Sequence, residues 1–293
     1  MHTEPSTTPG ADPLELRGVT KSYARGKRHP SMGFALGPLD LTVPRGYVMG
    51  LVGANGAGKT TAIKIALGLV RPDDGGVHLI DKTRIGVVFD QPAYVPDWTA
   101  TQVGRAVAPF YPAWDGARYA ELLAWSGIDP GKKVKALSRG MGMRLQFAVA
   151  LSHGAELLIL DEPTSGLDPL ARSEMLEMIA EFMTDECHSV LFSTHLTTDL
   201  EKVADYVTVL QAGRVASATT RDELLDGYRI VRGPAAELDA ELRPFVLGLR
   251  EHGAGWEGLM ATDHTTCLGR GTLAEAPTLE QVVVHLGKEP SDV

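Results

Sequence analysis

Cysteine is scarce in this chain: 293 residues contain two, Cys187 and Cys267, far apart and without metal-ligand spacing. That excludes a disulfide framework or a cysteine-rich zinc site, and it suits a reducing cytoplasm. Long apolar runs are also lacking. No window approaches the roughly 20 apolar residues that a membrane-spanning helix needs, so the chain is not expected to cross a bilayer alone. Basic charge is short as well, with 28 Lys and Arg against 37 Asp and Glu, a formal net charge of -9. Residues 222–293 hold 13 acidic and 6 basic side chains, which argues against binding a phosphate backbone and hence against a nucleic-acid partner. The opening 13 residues, MHTEPSTTPGADP, lack the basic and apolar regions of an export signal and are expected to be a disordered lead-in. Neither an internal repeat nor a low-complexity segment is visible.

What is present is ordinary globular material, 44% hydrophobic and 22% charged, enough for a large core. Short alternating apolar segments between residues 14 and 50, LELRGVT and FALGPLDLTV, are broken by Gly and Pro and predict a small antiparallel sheet. The run YVMGLV then leads into GANGAGKTT and the helix-forming KTTAIKIALGLV, which Arg71-Pro72 ends. From about Thr99 to Gly154 the period becomes helical, opening with a capping box from Thr99 to Gln102. This predicts an inserted helical lobe over about 92–154. ELLILD and SVLFST read as strands covered on both faces, as in a parallel sheet, with the amphipathic ARSEMLEMIAEFM as their crossover. YVTVLQAGRVASA predicts a hairpin, and the acidic tail after it mixes strand and helix patterns, ending in TLEQVVVHL.

Chemistry concentrates in two places. Gly53, Ala54, Asn55, Gly56, Ala57, Gly58, Lys59 and Thr60, followed by Thr61, fit G-x-x-x-x-G-K-[ST] between a buried strand and a helix. Glycines let backbone N–H groups turn inward around phosphate oxygens, and the helix presents its positive end to the same anion. Lys59 is expected to hold the β- and γ-phosphates of a nucleotide, and Thr60 to ligate Mg2+ through its hydroxyl. Further on, the apolar strand LLILDE ends in two carboxylates: Asp161 as a hard oxygen ligand for magnesium, Glu162 to orient water.

The order of the phosphate loop, LSRGM at Leu137 to Met141, LLILDEP at Leu157 to Pro163, SGLD at Ser165 to Asp168 and STH at Ser193 to His195 closely resembles the ATPase subunit of ABC transporters. The resemblance covers about residues 14–220. It implies an α/β fold: a P-loop NTPase core with a parallel central sheet, an N-terminal antiparallel β subdomain, an inserted helical subdomain and, here, a small C-terminal α+β extension over 221–293. It implies ATP and Mg2+ as ligands. It also implies two ATPase subunits sandwiching two ATP molecules, each site joining the phosphate loop of one copy to the signature segment, Ser138, Arg139, Gly140 and Met141, of the other. Ser138 and the amides near Gly140 begin a helix and so offer donors and a positive dipole to a γ-phosphate. His195 resembles the switch histidine that contacts the γ-phosphate, Asp168 the loop residue linking the two sites, and Tyr23 the aromatic that stacks on adenine.

Two departures stand out. The family signature usually reads L-S-G-G-Q, whereas Arg139 and Met141 replace a glycine and the glutamine. In IGVVFDQPAYVPDWT, the usual metal-ligating glutamine aligns with Asp90, and Gln91 follows one place later, so the metal role is divided between them. ARGKRH at Ala24 to His29 reads as a solvated loop insertion, and Met141 and Met143 as packing or interface residues. The segment between the phosphate-loop helix and IGVVFD is short for the family. The signature and the stretch after it are most similar to multidrug, lantibiotic or Ytr-type exporter ATPases, which implies a separate multi-span permease as partner, a second ATPase subunit in a homodimer or heterodimer, and a cytoplasmic place on the inner face of the membrane. Two other readings stay open at this point: a soluble ABC ATPase that remodels a protein or ribosomal partner, and an importer ATPase. One motif set without sustained heptads counts against the first.

Overall fold

Three parallel strands that are buried along their whole length organise this chain, whose computed structural model describes residues 11–23, 34–253 and 255–287. The order begins β1 (Leu14–Ser22), β2 (Ala35–Val43), β3 (Val48–Val52), α1 (Lys59–Ala66), β4 (Asp74–Leu79) and β5 (Ile85–Val88). A helical excursion follows, α2 (Ala100–Val107), α3 (Gly116–Trp125) and α4 (Arg139–Ala150). The chain returns as β6 (Leu157–Asp161), α5 (Pro169–Phe182), β7 (Ser189–Thr194), α6 (Thr197–Val203), β8 (Tyr206–Gln211) and β9 (Arg214–Thr220). It closes with α7 (Arg221–Asp226), β10 (Tyr228–Gly233), β11 (Leu247–His252), β12 (Gly255–Ala261), β13 (Leu273–Glu275) and α8 (Leu279–Leu286).

The main sheet has the order β5-β6-β7-β3-β8-β9, parallel except for β9. Every residue of β3, β6 and β7 is buried, which is why their sequences run apolar without alternation. The hairpin from β8 to β9 turns on Ala212 and Gly213, both left-handed at φ 45° and 83°, the backbone that a two-residue hairpin turn demands. A Cβ on Gly213 would lie 1.9 Å from the Ala35 carbonyl oxygen, so this turn also admits the start of β2. β1 sits between β2 and β4 in an antiparallel sheet that buries Leu14, Leu16, Val19, Leu39 and Leu41 against α1 and the main sheet.

The helical excursion has its own core of Val103, Tyr119, Leu122, Leu123, Leu145 and Ala148. Its helices are capped: Thr99 and Gln102 form the capping box at α2, Asp115 caps α3 and Ser138 caps α4. The described chain begins at Ala11, inside the expected lead-in; Asp12 and Pro13 already bond Arg45 and Ile80, so the disordered reading does not hold for these last residues. Residues 1–10 and Ala24–His29, with the loop insertion expected there, lie outside the described residues.

The C-terminal segment forms a four-stranded antiparallel sheet, β11-β12-β10-β13, with α8 across it. One face packs Trp256, 1% exposed, with Val231, Leu242, Val246 and Met260. The indole N–H donates to the Pro234 carbonyl at 3.1 Å. The other face sends Ile230 and Leu259, together with Leu279 and Val282 of α8, into the core that holds Leu200 and Ala204 of the main fold. Trp256→Ala empties a fully enclosed site and is expected to cost about 3–5 kcal/mol in urea unfolding followed by circular dichroism. A loss below about 1 kcal/mol would contradict this packing.

Candidate functional site

The phosphate loop links β3 to α1, and its glycines are used for space and for backbone conformation. Gly56 and Gly58 have φ of 82° and 112°, outside the comfortable range of other residues. At Gly53 a Cβ would approach the Leu210 carbonyl oxygen to 2.1 Å, so β8 closes the loop from behind. Lys59, the first residue of α1, is 5% exposed and folds back over the loop, donating from Nζ to the Gly53 carbonyl at 2.8 Å. Its charge is met by Glu162, whose Oε1 lies 3.2 Å away.

β6 delivers two adjacent carboxylates to opposite uses. Asp161, 4% exposed, accepts hydrogen bonds at Oδ1 from the Thr60 hydroxyl at 3.2 Å and from the Ser193 hydroxyl at 3.1 Å. Burial pushes its carboxyl above the usual carboxylate range; the two hydroxyl donors and Lys59 oppose that shift, and the negative charge of Glu162 adds to it. Glu162 has turned out of the strand into a left-handed conformation, φ 53°, rare for a residue with a side chain. Its Oε2 meets His195 Nδ1 at 2.7 Å, and the His195 amide donates to the same oxygen at 3.4 Å. The carboxylate of Glu162 is therefore held between an ammonium and an imidazole, at the ends of three neighbouring strands.

Other residues singled out in the sequence lie elsewhere in the single chain. Asp90 pairs with Arg139, so two of the three positions that depart from the family pattern meet one another. The Asp90 carboxylate is thus engaged by Arg139, and Gln91 is exposed. Ser138 accepts from the Met141 amide at 3.3 Å, and Gly140 with Met141 lies in the first turn of α4. Asp168 caps α5, accepting from Leu170 and Ala171 at 3.1 and 3.0 Å. Tyr23, 43% exposed, directly follows β1 with its ring 6.4 Å from that of Phe34. Met143 is buried in the core and Met141 packs against the helical lobe.

Sequence reading missed two supports. Gln146, 2% exposed, exchanges a pair of hydrogen bonds with the backbone of Phe89, at 3.0 and 2.9 Å, fixing the end of β5 to α4. A lone amide inside LQFAVAL was the available signal. Ser193 was noted only as part of STH; its inward hydroxyl became meaningful once β7 was placed beside β6.

Residues 36–165 match the family described as ABC transporter. The chain is 32% identical over 241 residues to an uncharacterized ABC transporter ATP-binding protein of Nostoc, covering 76% of this chain and 72% of the relative. It is 33% identical over 227 residues to the fluoroquinolones export ATP-binding protein of Mycobacterium tuberculosis, covering 73% of each. Among solved structures, an ATP binding subunit of an ABC transporter superposes with a TM-score of 0.62 at 26% identity, over 72% of this chain and 91% of the other.

Asp161 gives a stability test. Because its folded carboxyl ionises less readily than an unfolded one, the fold is favoured while both are protonated and loses ground as pH rises through the ordinary carboxylate range toward the folded value. At neutral pH the buried carboxylate is a net cost. Asp161→Asn keeps an acceptor for Thr60 and Ser193, and is expected to raise the thermal midpoint of the nucleotide-free protein at pH 7. The gain should vanish below about pH 4. Differential scanning fluorimetry across pH checks both; a lower midpoint at pH 7 would refute the assignment.

Proposed function

The chain belongs to the ABC transporter ATP-binding proteins, a family of ATPases, and on that premise we propose that it powers a separately encoded permease, in an exporter. The observation that carries the reading is the placement of Glu162 between Lys59 and His195, beside the phosphate loop. Kinship with a fluoroquinolones export ATP-binding protein favours the export direction.

In this reading Lys59 leaves Glu162 for the β- and γ-phosphates when ATP enters, because a phosphate carries more charge than one carboxylate. Glu162 Oε1 is thereby freed to accept a hydrogen bond from the attacking water and draw it into line with the γ-phosphate. His195 holds the other carboxylate oxygen and stands at the γ-phosphate side. Most of the rate gain comes from this positioning and from charge stabilisation.

The oxygen set around Thr60 and Asp161 fits a divalent cation: a buried carboxylate, a hydroxyl at hydrogen-bond distance and a second carboxylate next in sequence. Among the described residues no cluster of three His, Cys, Asp or Glu could hold a metal alone, which fits an ion that arrives with the phosphates. Bound there by Thr60 and Asp161, Mg2+ would neutralise charge building on the phosphate oxygens. Asp90 or Gln91 would join only after the ion pair with Arg139 opens or the segment shifts.

A second copy completes the site. The N-terminus of α4, with Ser138, Arg139, Gly140 and Met141, would meet the γ-phosphate held by the other subunit, and Asp168 would link the two sites. A full motif set in one chain supports a homodimer with two working sites. Tyr23 would stack on adenine. No described helix is long and apolar enough to cross a membrane. The chain would work in the cytoplasm, held to the inner face of the membrane by its permease.

Glu162→Gln should retain ATP binding, lower hydrolysis by about 10²–10³-fold, and give a dimer on gel filtration with ATP and Mg2+. A monomer at saturating ATP and Mg2+ would count against the sandwich. A mild-detergent pull-down of the tagged chain from native membranes should recover a multi-span protein in stoichiometric amount. Recovery of a ribosomal or other cytosolic assembly instead would overturn the transport role while leaving the ATPase chemistry.

A further inference from the structure

A buried carboxylate outside the site links the segments that leave its two strands. Asp199 lies in α6, four residues after His195, and is fully buried. Its Oδ2 accepts from the Thr164 hydroxyl at 2.6 Å, and its Oδ1 accepts from Arg172 Nε at 2.5 Å. Arg172, on α5, also donates from Nη2 to the Thr198 hydroxyl at 2.6 Å. Thr164 is itself 1% exposed and sits two residues after Glu162, inside the turn where the Ser165 amide bonds the Glu162 carbonyl and the Leu167 amide bonds the Thr164 carbonyl. One carboxylate thus ties the turn that follows Glu162, the helix that follows Asp168 and the helix that follows His195.

The site needs such a tie. Glu162 occupies a left-handed backbone conformation that is unfavourable for a residue with a Cβ and persists only where the surroundings fix it. Its contact with His195 joins two loops from different strands, so the 2.7 Å distance depends on holding both loop exits. A buried ion pair is by itself weak evidence of a stability device, since apolar replacements are often as stable. Its partners point to register.

We propose that Asp199 is a positioning residue for ATP hydrolysis, which through Thr164 and Arg172 holds Glu162 and His195 in mutual register. The inference rests on the hydrolytic reading of Glu162. Loss of the tie leaves the phosphate loop intact, so nucleotide affinity should survive while the chemical step slows.

The test uses the full chain and four variants, Asp199→Asn, Thr164→Val, Thr164→Ser and Glu162→Gln. Steady-state hydrolysis gives kcat and KM, a fluorescent ATP analogue gives the dissociation constant, and the thermal midpoint measures the folded fraction. Asp199→Asn and Thr164→Val are expected to lower kcat about 10-fold per folded molecule, with the dissociation constant changed less than about twofold. Thr164→Ser, which keeps the hydroxyl, should restore most of the rate. If Asp199→Asn does not fold, Thr164→Val removes one hydroxyl at nearly constant volume and carries the test. A kcat within about twofold of the parent in Thr164→Val, a dissociation constant that rises in step with the loss, or equal losses in Thr164→Ser and Thr164→Val would overturn the proposal. A parent chain that does not hydrolyse ATP, or a Glu162→Gln variant as fast as the parent, would overturn the functional reading itself; normal controls with unaffected Asp199 and Thr164 variants would overturn this inference alone.

Discussion

Pairing of β7 with β3 on one edge and with β6 on the other is the constraint from which the site follows. Val52 stands opposite Thr194, and Asp161 opposite Ser193, so three strands stop at one level. The phosphate loop, the acidic pair and His195 leave the sheet from that level. A slip of one residue would reverse which side chains face the core. With both faces of all three strands covered, a slip would set each side chain into a space shaped for another, which close packing penalises.

Around that line the molecule holds its charges in compensated pairs. Lys59 and Glu162 neutralise each other beside the glycine-rich loop, and Asp161 is kept by two hydroxyl donors against the cost of burial. Arg139 and Asp90 show the same logic at the surface. Both residues depart from the family pattern, and their contact joins the segment after β5 to the first turn of α4. Gln146 makes the same connection from inside, through the Phe89 backbone. The helical lobe is therefore tied to the main sheet at two depths beside the expected dimer face.

The C-terminal segment shares a core with the helix that follows His195. Glu201 of α6, two residues after the buried Asp199, accepts from the Leu279 amide at the start of α8 at 2.8 Å. The same helix faces the turn after Glu162 on one side and the C-terminal segment on the other. Acidic composition alone gave no hint of this, since the apolar positions that make the joint, Ile230, Leu259, Leu279 and Val282, are spread over some fifty residues.

Local order in the sequence determined a good deal: the phosphate loop between an apolar strand and a helix, the caps at Thr99 and Ser138, the hairpin at Ala212-Gly213 and the buried strands around Leu157 and Val190. Each of these depends on residues close together in the chain, where period, capping and turn chemistry act directly. Tertiary structure alone decided what depends on distant segments meeting. It gave Asp161 its second donor in Ser193, set Glu162 between Lys59 and His195, turned Asp90 toward Arg139, and buried Asp199 against Thr164 and Arg172. A side chain's type is written in the sequence, but its partner is chosen by strand order and register, which the sum of many long-range burials fixes and no short window contains.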